Sequence, residues 1–125
     1  MNMTRRNKLP PLLLEELTSI SPLDGRYRNI ISDLAHFTSE QALIKARFEI
    51  EGKYLVELSK FGIIRTLSNS EINFLKQLGD NLTITQVRQV KQIEGSTRHD
   101  TKAIEKAFKK FIVGTPVEDL AEKIH

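Results

Sequence analysis

Apolar side chains recur at helical spacing along most of the chain, and from residue 39 onward they predict five helices. The longest is expected to begin near Ser39, behind a capping box from Thr38 to Gln41, and to end before Gly62. Its apolar positions fall into a periodic set (Leu43, Ala46, Ile50, Tyr54, Leu58, Phe61) and a set that widens the stripe (Ile44, Phe48, Leu55). So broad a stripe predicts that this helix packs against more than one neighbour.

Four shorter helices are predicted after it. Three are expected at residues 69–78, 85–93 and 98–112, each with apolar residues on one face. A fifth is expected to open with Thr115 as its N-cap and Pro116 in its first turn. We therefore expect a domain built of amphipathic helices.

The predicted fold class is all-α. No repeat is found, and the only strand candidate is a short one at residues 63–64. Residues 1–20 are predicted to be an N-terminal arm, because Pro10-Pro11 prevents a helix from starting earlier and little apolar periodicity follows. Residues 21–125 are predicted to form one helical domain, a size that can bury a core without disulfides or a metal.

Composition excludes several classes of protein. Cysteine is absent, so a disulfide framework and a thiolate metal site are both impossible, and we expect no metal centre. The apolar run Leu12–Leu14 ends at Glu15-Glu16, too early for the core of an export signal. No apolar stretch approaches the length that spans a membrane, so we expect a soluble cytoplasmic protein that does not bind membranes.

Charge is distributed unevenly along the chain, whose formal net charge is +3. Between residues 85 and 112, seven lysines or arginines stand against three acidic residues. Such a basic segment could bind nucleic acid or attract a small polyanionic substrate. A solvated helix face is the more common explanation.

A polar hexad at residues 95–100 lies between two of the predicted helices. Thr97 and Asp100 match a capping box, which predicts Thr97 as the N-cap and places His99 in the first turn, directed away from the core. The positive end of the helix dipole attracts anions and disfavours a protonated imidazole, so a neutral histidine beside Arg98 is suited to binding an anion or moving a proton. The alternative is an ordinary surface histidine, which is what most such residues are.

Arg26 and Tyr27 form a second candidate site, because they directly follow the turn-forming residues 21–25. A rigid turn could present the guanidinium to a phosphate and the phenol as a hydrogen-bond donor. An exposed arginine beside a half-buried tyrosine at the exit of a turn is the simpler alternative.

Three segments, in this order and at this spacing, resemble the N-terminal part of the adenylosuccinate lyase family: Ser21 to Tyr27, Phe37 to Glu40, and Arg98 to Asp100 with Lys102 to Glu105. The resemblance covers nearly the whole chain from Leu17 onward. It implies the small helical first domain of the fumarase/aspartase-type fold, without the central bundle of long helices. It also implies elimination of fumarate, without a cofactor, from adenylosuccinate (giving AMP) and from the succinylated imidazole-carboxamide ribotide of purine biosynthesis.

The resemblance further implies roles for single residues. Arg26 and Tyr27 match a pair at the phosphate end of the nucleotide, and Arg98, His99 and Asp100 match a substrate-binding segment. In that segment the histidine is a candidate acid or base, and the aspartate orients it. Family members are several times longer, are homotetramers with shared active sites, and carry further catalytic segments beyond the matching region. This implies a chain that supplies part of the substrate site and is inactive alone.

Two other classes of protein remain open from the sequence. The first is a small basic helical module that binds nucleic acid through residues 85–112, although this face lacks aromatic residues for stacking and any helix-turn-helix signature. The second is a scaffold that docks onto a protein partner through the last helix, where Leu120 and Ile124 begin an apolar face that the sequence does not complete.

Overall fold

A computed structural model describes residues 9–124. The chain divides after Ala35 into two compact units, which are described separately. Every regular element among the described residues is helical, which confirms the all-α class and shows that residues 63–64 form no strand. The predicted arm, residues 1–20, and domain, residues 21–125, stay predictions, and residues 1–8 and 125 lie outside the described part of the chain.

The first unit consists of short turns of helix. A 3-10 turn at Glu16–Thr18 is followed by helix α1 (Arg28–Ile31), a second 3-10 turn (Ser32–Leu34) and helix α2 (Ala35–Thr38), which crosses the boundary between the units. The predicted bend at residues 21–25 is present. None of residues 9–35 is buried, so this unit has no core of its own among the described residues.

The second unit contains the hydrophobic core. Its helices are α3 (Glu40–Lys60), α4 (Asn69–Gln77), α5 (Ile84–Thr97) and α6 (Asp100–Phe111), followed by a 3-10 helix at Glu118–Lys123. Helix α3 packs mainly on α4, and α5 packs mainly on α6. These two pairs also meet each other through α3, which contacts both α5 and α6.

An aromatic cluster joins α3 to α6. The ring of Phe48 stacks on Phe108 and Phe111, with centroids 5.4 and 5.8 Å apart. Phe48 and Phe108 are completely buried. On the neighbouring part of α3, Gly52 lies so close to the backbone of Leu75 that any side chain would collide with it, which explains a glycine in the middle of a long helix. Helix α3 is therefore held tightly on its inner face.

The broad apolar stripe predicted for α3 divides into two faces. The widening set, Ile44, Phe48 and Leu55, is buried, whereas Leu43, Ile50, Tyr54 and Phe61 of the periodic set are exposed. The prediction that α3 packs on more than one neighbour is confirmed, but the predicted central stripe is wrong. Periodicity alone could not choose between the two faces, because both carry apolar residues at helical spacing.

Several helix boundaries agree with the prediction better than the buried face of α3 does, because they depend on local chemistry. Helix α4 begins and ends within one residue of its prediction, and α3 ends before Gly62, which has a left-handed φ of 71°. The predicted cap of α3 is off by one residue, since the hydroxyl of Ser39, not Thr38, accepts a hydrogen bond from the backbone N–H of Ala42 (3.1 Å).

The predicted fifth helix is wrong in type and in its cap. Thr115 is no N-cap, because its hydroxyl donates a hydrogen bond to the carbonyl oxygen of Ile112 (2.6 Å), and the chain forms a 3-10 helix from Glu118. Leu120 and Ile124 are only 3% and 0% exposed. Their apolar face is already packed in the core, so it leaves no surface for the docking partner that the sequence suggested.

Candidate functional site

The start of α6 differs from its prediction in a way that changes the role of His99. Helix α5 continues through Thr97, and Arg98 ends it in the left-handed conformation (φ 51°, ψ 28°). His99, with extended backbone, is the N-cap of α6. The Thr97 capping box is therefore wrong, because Thr97 is still part of α5, and its hydroxyl donates to the carbonyl oxygen of His99 (3.1 Å).

The imidazole of His99 caps the helix with one of its two nitrogens. Nδ1 accepts a hydrogen bond from the backbone N–H of Lys102 at 3.3 Å, so in this arrangement Nδ1 carries no proton and the neutral ring is protonated at Nε2. The side chain is 61% exposed, in agreement with the predicted direction away from the core. No described residue accepts a hydrogen bond from Nε2, which leaves an N–H donor for a ligand.

Asp100 contacts groups other than the neighbouring imidazole. Its Oδ2 accepts a hydrogen bond from Nη2 of Arg47 (2.8 Å), and its Oδ1 accepts one from the backbone N–H of Thr101 (2.7 Å). The distance from Oδ1 to Nδ1 of His99 is 3.8 Å, which is too long for a hydrogen bond. An ion pair there would also require a proton on Nδ1, which the cap excludes. Asp100 thus does not orient His99 directly in this structure.

Electrostatics keep Asp100 ionised. The Arg47 guanidinium, helped by the backbone N–H of Thr101, lowers the pKa of the Asp100 carboxyl below its usual value. The carboxylate also lies in the first turn of α6, where the helix dipole favours negative charge. The helix start therefore combines a fixed carboxylate with a neutral imidazole donor.

Arg98 combines an uncommon backbone conformation with a side chain that has no partner among the described residues. It is the only non-glycine described residue with a positive φ, and its N–H closes α5 by donating to the carbonyl oxygen of Glu94 (2.7 Å). A left-handed conformation costs an ordinary residue about 1 kcal/mol or more, and such strain is concentrated at functional sites. Its guanidinium is available to a ligand.

Arg26 and Tyr27 lie together in the first unit. The guanidinium carbon of Arg26 is 4.4 Å from the centroid of the Tyr27 ring, and Nη2 donates a hydrogen bond to the phenol oxygen. Arg26 also lines a cavity of about 350 Å³, together with Glu16, Leu17, Ser19, Ile20, Ser21 and Pro22. Stacking holds the guanidinium in place while its other N–H groups remain available.

Two clusters of candidate residues thus exist, one in each unit. The structure brings Arg26 and Tyr27 together, and it brings Arg98, His99 and Asp100 together. A substrate site shared by the two clusters stays a prediction. Sequence reasoning missed Arg47, which lies 53 residues before its partner Asp100 and carries no local signal of that contact.

The basic segment at residues 85–112 is partly neutralised. Lys91 pairs with Glu40 and Glu94, and both Lys102 and Lys109 pair with Glu105. The remaining cations have no carboxylate partner among the described residues: Arg88, Arg98, Lys106 and Lys110. A continuous basic surface for a nucleic-acid backbone is therefore interrupted by acidic side chains.

Within residues 9–124, no cluster of three or more histidine, aspartate or glutamate side chains is arranged to hold a metal ion. No helix in the same part of the chain is long and apolar enough to cross a membrane.

Comparison with known proteins gives one consistent result, although no protein-family profile matches the chain. The chain is similar to three proteins that are each named adenylosuccinate lyase. Identity is 41% over 97 residues for Dictyostelium discoideum, 31% over 116 residues for Escherichia coli K12, and 34% over 102 residues for Haemophilus influenzae. These matches cover 74%, 90% and 79% of the chain but only 21%, 25% and 22% of the relatives' length.

Proposed function

Because the chain belongs to the adenylosuccinate lyase family, we propose that it supplies substrate-binding residues of such a lyase. The substrates would be adenylosuccinate and the succinylated imidazole-carboxamide ribotide, and the pathway purine biosynthesis. A homotetramer in the cytoplasm belongs to the same proposal. The family resemblance supports this proposal. The proposal applies to the whole lyase, and the chain spans 21–25% of the length of such relatives.

One observation carries the proposal: His99 caps α6 through Nδ1, so that its Nε2–H and the guanidinium of the preceding Arg98 have no partner among the described residues. Two such donors on consecutive residues, one of them charged, suit a dicarboxylate such as the succinyl group of the substrate. The first-turn N–H groups of Thr101 and Lys102 are already bonded to Asp100 and His99, so the preference for an anion rests on the two side chains. We therefore expect His99 and Arg98 to bind the succinyl end.

Arg26 and Tyr27 would bind the other end of the nucleotide. A guanidinium stacked on an aromatic ring keeps a planar array of donors in one orientation, which matches two oxygens of a phosphate. The adjoining cavity of about 350 Å³ falls within the range of small-molecule sites.

The protonation of His99 limits its role in the elimination. The reaction removes a proton from the succinyl carbon next to the C–N bond, breaks that bond and delivers a proton to the leaving nitrogen, so it needs a base and an acid. A neutral ring protonated at Nε2 can donate a hydrogen bond there but cannot accept one, and losing that proton would leave an imidazolate. His99 would thus bind substrate in this arrangement and would act as the acid only after Nδ1 gained a proton and released the N–H of Lys102. The base would come from elsewhere in the lyase.

Titration of the ¹⁵N-labelled chain with adenylosuccinate, and separately with AMP, tests this proposal. We expect saturable shifts at the amides of residues 98–102 and no release of fumarate by the chain alone. Arg98→Ala should weaken binding, whereas Arg88→Ala, which removes another unpaired arginine from the same helix, should not. Fumarate release that increases with protein concentration would contradict the expected lack of turnover. Retention of an oligonucleotide at physiological salt, without shifts from either ligand, would instead favour the nucleic-acid module.

A further inference from the structure

Arg47 on α3 contacts the start of α6 without taking part in the proposed chemistry. We propose that Arg47 is a positioning residue that withholds Asp100 from His99 and thereby keeps Nε2, rather than Nδ1, as the protonated nitrogen of His99. This inference rests on the proposed function only for its consequence on ligand binding. The protonation pattern itself can be measured without a ligand.

Arg47 is held on a rigid base. The next residue in α3, Phe48, is completely buried and stacks on Phe108 and Phe111 of α6. The Arg47 side chain is only 30% exposed and reaches Asp100 with a 2.8 Å contact between Nη2 and Oδ2. The core therefore fixes the register between α3 and α6. The ion pair forms at a helix end whose distance from α3 is already set by that packing.

The two oxygens of Asp100 are both occupied in this arrangement. Arg47 binds Oδ2, and the N–H of Thr101 binds Oδ1. Nδ1 of His99 lies 3.8 Å from Oδ1, within reach of a small rotation of the carboxylate. Among the described residues, the contact with Arg47 is the only one from another helix that resists this rotation.

Two hydrogen bonds at Nδ1 of His99 would compete if Arg47 were absent: the bond that Nδ1 accepts from the N–H of Lys102, and a bond that a protonated Nδ1 could donate to Oδ1 of Asp100. The second involves a carboxylate freed from its cation, and hydrogen bonds that involve a charged group are about twice as strong as neutral ones. The freed Asp100 would therefore favour a proton on Nδ1, which could then donate to Oδ1. That proton would displace the Lys102 N–H from Nδ1 and leave Nε2 as an acceptor, the reverse of what an anionic ligand requires.

The nitrogen chemical shifts of His99, measured with ¹⁵N-labelled imidazole at a pH where the ring is neutral, test this inference. In the unmodified chain we expect the pattern of a ring protonated at Nε2. Arg47→Met retains the apolar stem and should move the pattern toward Nδ1 protonation, with loss of the hydrogen bond at the Lys102 amide. Arg47→Lys retains the charge and should restore the original pattern. Lys53→Met is the matched control, since the one carboxylate that Lys53 contacts in the described part of the chain is Glu49 of its own helix, and its loss should change nothing at His99.

A second variant distinguishes capture of the His99 proton by Asp100 from general damage to the start of α6. Arg47→Met combined with Asp100→Asn has no carboxylate to capture the proton, so we expect the original His99 pattern to return. If Arg47→Met is folded and leaves both the His99 nitrogens and the Lys102 amide unchanged, the inference is wrong. The same holds if the double variant behaves like the single one.

Ligand binding distinguishes this inference from the proposed function. Arg47→Met is expected to weaken binding of adenylosuccinate roughly tenfold, because one strong hydrogen bond is worth about 1.4 kcal/mol or more. If the unmodified chain binds no nucleotide, the proposed function is contradicted. The protonation pattern of His99 still tests the role of Arg47, because it is measured without a ligand. A variant with altered nitrogens and unchanged affinity would refute the link between the two.

Discussion

Helices α5 and α6 begin only 16 residues apart in the sequence, yet their starts are built differently. At α5, Thr83 accepts from the N–H of Gln86 (3.2 Å), and the Gln86 side chain accepts from the N–H of Thr83 (2.9 Å). At α6 the cap is an imidazole, the preceding residue is left-handed, and no reciprocal bond closes the box among the described residues. Histidine is not among the preferred N-caps, and Arg98 is strained where glycine would not be.

This difference indicates that the start of α6 is locally less stable than the start of α5. At the start of α5, the side chains of Thr83 and Gln86 bond each other's backbone N–H groups, so both cap side chains are engaged within the helix. The start of α6 leaves the Nε2–H of His99 and the guanidinium of Arg98 without described partners. Departures from the best local chemistry are expected at functional sites, so the contrast supports α6 as the ligand-binding end. Four predictions test that contrast, and they follow in order of decreasing effect.

His99→Ser should separate binding from stability most clearly. Serine is a better N-cap than histidine, so the free energy of unfolding should stay the same or rise. Binding of adenylosuccinate should weaken roughly tenfold to a hundredfold, because a hydrogen bond to a charged ligand contributes about 1.5–3 kcal/mol. Calorimetric titration and urea denaturation measure the two quantities. Unchanged affinity would show that the imidazole is only a cap.

Thr83→Ala should have the opposite profile. Loss of the hydroxyl breaks the capping box at α5 and should lower the free energy of unfolding by about 1 kcal/mol. Affinity for adenylosuccinate should not change, since α5 begins at the end remote from Arg98. Urea denaturation and the same titration are the measurements. A loss of affinity comparable to that of His99→Ser would remove the distinction between the two helix starts.

Arg98→Gly should stabilise the chain by up to about 1 kcal/mol, because glycine adopts a positive φ without steric cost. Arg88→Gly is a matched control whose expected effect on the free energy of unfolding has the opposite sign. Arg88 lies in the interior of α5, where glycine should destabilise by roughly 1 kcal/mol. Binding should weaken in Arg98→Gly only. Destabilisation by both substitutions would mean that Arg98 is not strained.

The pH dependence of stability should reveal the fixed carboxylate of Asp100. The Arg47 guanidinium lowers the pKa of Asp100 from its ordinary value of 3.8, so the folded state binds this proton less readily than the unfolded state. The stabilisation is fully present above pH 3.8 and is lost as the pH falls through the lower pKa of the folded state. Urea denaturation of the unmodified chain and Asp100→Asn should give a stability difference that is constant from pH 7 to about 5 and then shrinks. A difference that persists unchanged at pH 2 would contradict this assignment.

The sequence by itself predicted the helical class, both ends of α4 and the end of α3, and it named the candidate ligand residues. Helix α4 could be bounded closely because its signals are local: Ser68 and Glu71, three residues apart, form a capping box. The end of α3 at Gly62 is equally local, since the left-handed φ there favours glycine. Such features depend on residues within one turn of each other.

Tertiary packing decided what local patterns left open. Two apolar faces on α3 satisfy the same periodicity, and only the positions of α4 and α6 determine that Ile44 and Phe48 are buried while Ile50 is exposed. The N-cap of α6 is His99 and not Thr97 because α5 continues into the hexad as far as Thr97. The contact between Arg47 and Asp100 joins residues 53 positions apart, so it exists only once α3 and α6 have packed. Short-range hydrogen bonds are encoded within a few residues, whereas the pairing of distant side chains depends on which faces the whole core can bury.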